Sequence, residues 1–193
     1  MKPGLSCVCL LALAIWPGTV FADAHPNAGD PVEPIKLRYE GKDYGFQYRR
    51  YRQLWVLDLG MATGKRDTPF NTLLSYYQVM KTMTDHGALM PYLRRANGDA
   101  GEGPSDVAQR MAAIKTILAG DILIYGEILY GDYTIYIYRY TKSIKRHLGL
   151  PIRKSDGSYA VVQDLVLTDP MAARFSALRY DIDALKKRYP AGK

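Results

Sequence analysis

The stretch DILIYGEILYGDYTIYIYRYT, residues 121–141, decides the fold. Two β-branched and aromatic runs, Asp121 to Leu129 and Tyr133 to Thr141, flank the turn residues Tyr130-Gly131-Asp132, which predicts a hairpin. Period two places Tyr136, Tyr138 and Tyr140 on one face and Ile135, Ile137 and Arg139 on the other. One face has to cover helices, so the other is expected to form an aromatic surface. Tyrosine combines large contact area with a polar tip and is frequent in protein and glycan contacts. The competing expectation is a cross-strand tyrosine ladder that only stabilises the sheet.

The hairpin continues toward the C-terminus in a second one. Leu148 to Lys154 and Tyr159 to Leu167 flank Ser155-Asp156-Gly157-Ser158. Asp169-Pro170 then opens a final helix, in which Met171, Phe175, Leu178, Ile182, Leu185 and Tyr189 step by four and three to make one apolar stripe. On the other side, Ser105 caps a helix with inward Val107, Met111, Ile114 and Leu118, stopped by Gly120. Ala96 to Pro104 reads as a glycine-rich loop, and Leu89 to Arg94 as a short helix. Thr68-Pro69 starts a longer helix with an apolar face from Leu73 to Met83. Upstream, Ile35, Leu37 and Tyr39 alternate with charged residues, Gly41-Lys42-Asp43 turns the chain, and Tyr44, Phe46 and Tyr48 alternate again. Leu54 to Leu59 is a candidate third strand and Gly60 to Thr68 a loop. Helices grouped before an antiparallel meander predict an α+β fold, with an N-terminal hairpin and a C-terminal helix added to helices on a curved sheet.

The chain begins with Lys2, an apolar run from Cys7 to Trp16, then Pro17-Gly18 and Thr19-Val20-Phe21-Ala22. This order predicts a cleaved signal peptide over residues 1–22, and the run is shorter than the roughly 20 apolar residues that a membrane span needs. Residues 23–34, with prolines and Gly29, read as a linker, and 35–193 as a single domain. Cys7 and Cys9 both fall in the signal, so a mature periplasmic or extracellular chain has no disulfide, thiol nucleophile or cysteine metal site. Loss of Lys2 lowers the formal charge from +7 to +6. A mildly basic exported chain suits anionic surfaces, glycans or an acidic partner, and export argues against nucleic acid.

Helices followed by a curved meander resemble the cone-shaped fold of the nuclear-transport-factor-like superfamily, which is cystatin-like in outline. The residues that carry the resemblance are Thr68-Pro69-Phe70, the helix from Ser105 to Ala119, the hairpin Ile122 to Tyr140, and Leu150 to Tyr159 with its polar glycine turn. The leading hairpin and the final helix depart from the usual pattern. Enzymes of that superfamily work with an Asp or His base inside the cone. The resemblance therefore implies Asp85, His86 and Asp121 as candidate catalytic residues of an isomerase or dehydratase. A solvated helix end is the plainer reading of Asp85 and His86.

His25, His86 and His147 are scattered, with no HxH or HExxH spacing, so no metal site is expected. Neither a Gly-x-Ser-x-Gly elbow nor a phosphate loop occurs, and no cofactor is indicated. Arg49, Arg50 and Arg52, beside Tyr48 and Tyr51, form a second candidate binding patch suited to carboxylate or phosphate. Lys142, Lys145 and Arg146 extend the tyrosine hairpin as a basic strip. The functional expectation is an exported binding or accessory protein, in one version immunity-like, that holds an envelope protein partner or a small ligand through the aromatic face or a cone pocket, with the enzyme as its rival.

Overall fold

The computed structural model describes residues 29–94, 112–142, 147–162, 169–176 and 182–191. Its strands are β1 (Val32–Tyr39), β2 (Lys42–Val56), β3 (Leu93–Arg94), β4 (Ile122–Tyr130), β5 (Tyr133–Tyr140), β6 (Leu148–Ser155) and β7 (Ser158–Val162). Its helices are α1 (Pro69–Thr82), α2 (112–118), α3 (Pro170–Ser176) and α4 (Ile182–Arg188). The strands form a seven-stranded sheet in the order β1-β2-β4-β5-β6-β7-β3. Every neighbouring pair is antiparallel except β3, which runs parallel to β7. The fold is α+β.

Local chemistry explains the elements. Glu40-Gly41 and Asp156-Gly157 each place two successive residues at positive φ, which gives the tight two-residue hairpin turns of β1–β2 and β6–β7. Thr68 caps α1 by accepting the Asn71 N–H at 3.1 Å, with Pro69 at the first helical position. Asp169 caps α3 through the N–H groups of Met171 and Ala172, at 2.8 and 2.9 Å. No helix among the described residues is long and apolar enough to cross a membrane.

Several boundaries differ from the sequence reading. The first strand starts at Val32, inside the expected linker, because Pro34 is tolerated on an edge strand. Leu54 to Val56 belongs to one long β2, and residues 86–92 form a 3-10 turn containing Pro91 rather than a helix. The Ser105 cap and residues 163–168 and 177–181 lie outside the described residues.

The main correction concerns the tyrosines. Tyr136, Tyr138 and Tyr140 are 0%, 7% and 7% exposed and pack against α1 with Leu73, Leu74 and Tyr77. The opposite face, with Ile135, Ile137 and Ile128, is closed by Met171 and Phe175 of α3 and Ile182 and Leu185 of α4. Helices therefore cover both faces, so neither face of the hairpin is left as an aromatic surface. A register shift between Ile124 and Gly126 lets β4 serve both layers: Ile122 and Ile124 face α1, whereas Ile128 faces α3.

Candidate binding cleft

Antiparallel register builds the site in rows. On the α1 side, Arg49, Glu127, Tyr136 and Leu150 lie across four adjacent strands, and Gln47, Leu129, Thr134 and Ile152 form the next row. Ile152 is sealed under α1, but Gln47, Leu129 and Thr134 are only part-buried. Over this second row the sheet opens into a cleft of about 570 Å³. Pro34 and Leu129 give it an apolar wall, with the Gln47 amide and the Thr134 hydroxyl in the middle. Lys36 and Lys154 stand at the rim as exposed cations, the second over the Tyr159 ring at 6.0 Å. The cleft's carboxylate, Asp132, is bound to Arg153. Its far end is held by Tyr159, whose N–H donates to the Arg66 carbonyl at 2.8 Å.

The arginine patch does not assemble. Period two turns Arg49 inward, where it meets the buried Glu127 carboxylate at 2.5 Å, 4% exposed on each side. Arg50 points to the other face and pairs with Asp183 of α4 at 2.5 Å. Hydrogen bonding to Arg50 lowers the pKa of Asp183 below the usual carboxylate range. Arg52 reaches Asp30 at 3.5 Å. Each arginine thus has its own carboxylate, which corrects the reading of a common anion-recognition patch.

The acid–base candidates are also apart. Asp85 is exposed at the start of the 3-10 turn, and the His86 side chain lies outside the described residues. Asp121 is exposed at the entrance of β4, with its N–H on the Thr141 hydroxyl at 2.9 Å. It lines a separate cleft of about 720 Å³ together with Asp58, Gln78 and Lys81, and Asp85 does not line that cleft. No group of three or more His, Cys, Asp or Glu among the described residues is placed to hold a metal ion. His147 packs edge-on against Tyr125 at 4.4 Å, and residues 143–146 of the basic strip lie outside the described residues.

Sequence reasoning missed the cleft residues. Their signal was present: Lys36, Gln47 and Thr134 are polar at positions that the register aligns on one face. A strand face with amide and hydroxyl groups in the middle of an apolar sheet is a face that no helix seals. Comparison with family models, with curated proteins and with solved structures found no match to this chain.

Proposed function

We propose that this chain is an exported, non-catalytic binding protein that holds a small amphipathic anion in the β1–β2–β4–β5 cleft. The observation that carries the reading is the cleft itself. It has about 570 Å³ of space, an apolar wall, two central hydrogen-bonding groups, and lysines at the rim with the local carboxylate already paired. Small-ligand sites typically enclose about 300–1,000 Å³ with this mixture of apolar walls and few polar groups. An apolar tail fits against Pro34 and Leu129, and an acidic head meets Lys36 or Lys154. In this reading the sheet is the wall of a cone of the nuclear-transport-factor-like kind and the cleft is its mouth. The register shifts in β2 and β4 favour such curvature. The N-terminal residues 1–22, read as a signal peptide, would place the binder in the periplasm or outside the cell.

Titration with dodecanoate, dodecanol and dodecyltrimethylammonium, followed by calorimetry, tests the reading. The carboxylate is expected to bind best, and Lys36→Glu with Lys154→Glu to weaken it about tenfold or more, the scale of one lost charge contact. Thr134→Trp should fill the cleft and abolish binding while the melting temperature holds. Equal binding of all probes, or binding that survives Thr134→Trp, overturns the assignment.

A further inference from the structure

β2 outruns its partner. β1 pairs with it only as far as Arg49; beyond that, Arg50, Trp55 and Val56 pair with β4, and the register shifts over the residues between Arg50 and Trp55. On the other side, among the described residues, the Asp30 carboxylate accepts the Arg52 N–H at 3.0 Å and no strand pairs beyond it. The Leu57 N–H donates to Ile122 on the β4 side at 2.9 Å. Alternation along an extended chain then sends the N–H and C=O of Leu54 and Val56 outward. Their side chains are 54% and 50% exposed, and Met61 nearby is 46% exposed. An open edge with apolar side chains is a template for another strand, and natural proteins normally guard such edges with charge or proline.

We propose that this edge pairs with the same edge of a second copy, antiparallel about a two-fold axis through Trp55. Charge complementarity selects both the occupant and the register. In chain order the edge reads cation, apolar, apolar, anion: Arg52, Leu54, Val56, Asp58. Reversed against itself, it sets Leu54 opposite Val56 and Arg52 opposite Asp58, and the two-fold repeats both contacts. Arg52 and Asp58 are both exposed, the Arg52 side chain 75% so; within one copy Arg52 also meets Asp30 at 3.5 Å and the Asp58 carboxylate accepts the Gly60 N–H at 2.9 Å, so the cross-copy pairs form beside these contacts. Leu54 and Val56 would exchange about four main-chain hydrogen bonds in all, two from each symmetry-related pair. A closed two-fold leaves no further edge to extend, which separates this contact from open-ended aggregation.

The test uses the full chain in reducing buffer, with mass measured by light scattering and sedimentation between micromolar and ~100 µM, the range in which modest interfaces dissociate. A dimer is expected, and Leu54→Lys with Val56→Lys should make it monomeric with an unchanged melting temperature. Arg52→Asp opposes two acids twice in its own dimer and Asp58→Lys opposes two cations twice. Each alone should weaken self-association roughly tenfold, and an equimolar mixture should recover it as a heterodimer. A wild-type monomer throughout, a dimer that persists in the double-lysine variant, or a mixture no tighter than its components overturns the proposal.

Discussion

At the scale of single residues, the buried Arg49–Glu127 pair has the largest consequences. Both ions are taken out of water, and their attraction repays that cost only while both are present. Glu127→Leu alone is expected to lose about 3–5 kcal/mol, because a guanidinium is left buried without its carboxylate. Arg49→Met with Glu127→Leu should cost far less than the sum of the single changes. Urea unfolding of the four proteins gives the coupling, and additive losses would refute a paired role. Tyr138 makes a different case. It is 7% exposed against Tyr77, ring centroids 5.8 Å apart, so its contribution is mostly packing. Tyr138→Ala is expected to cost about 3–5 kcal/mol and Tyr138→Phe far less, both read from unfolding midpoints. The alternation of Tyr136, Tyr138 and Tyr140 with Ile135 and Ile137 was legible in the sequence. Which face met water was not, because that depends on how two separate helical segments divide the sheet between them.

At the scale of elements, the three hairpins, the α1 start at Thr68-Pro69 and the α3 start at Asp169-Pro170 could be read from turn and cap chemistry, which is local. The register shift at Gly126 could not, since only the pairing of β4 with its neighbours reveals it. Contact between layers is similarly hidden. Gly149 of β6 lies so close to α3 that a Cβ would collide with the Phe175 carbonyl oxygen. A carbonyl cannot rotate away as a flexible side chain can, so α3 would have to lift off the sheet. Gly149→Ala is therefore expected to lower stability by about 1–3 kcal/mol, the usual range for overpacking. Loosening should be greatest on the α3 side, with faster amide exchange in residues 170–176 than in α1. Equal protection of both helices in that variant would contradict a local clash. The cleft belongs to this scale too: Lys36, Gln47 and Thr134 come from three strands, and their alignment follows from register rather than from any sequence motif.

At the scale of the whole molecule, the two ends of the pH range load different parts of the fold. Toward acid, Asp183 is held below its ordinary pKa by Arg50, so the pair stabilises the fold above the unfolded value of about 3.9 and is lost as pH falls further. Both partners are well exposed, 57% and 49%, so this contribution stays below about 1 kcal/mol and fades in salt. Toward alkali the stakes are larger. Burial raises the pKa of Tyr77, Tyr138 and Tyr140 above the ordinary phenol value, and neighbouring phenols add to the rise for Tyr77 and Tyr138. A raised folded pKa means stability that is complete below the unfolded value of about 10 and lost as pH climbs beyond it through the higher folded value. The core must therefore open for these phenols to ionise. Their ionisation should appear as a steep phenolate absorbance step that coincides with loss of near-ultraviolet circular dichroism. Tyr138→Phe removes one of the coupled phenols, so the step should shrink and move to higher pH even though the variant gains no stability at neutral pH. Complete phenolate formation with the tertiary signal intact would show that the tyrosine face is open to solvent and would return it to consideration as a contact surface.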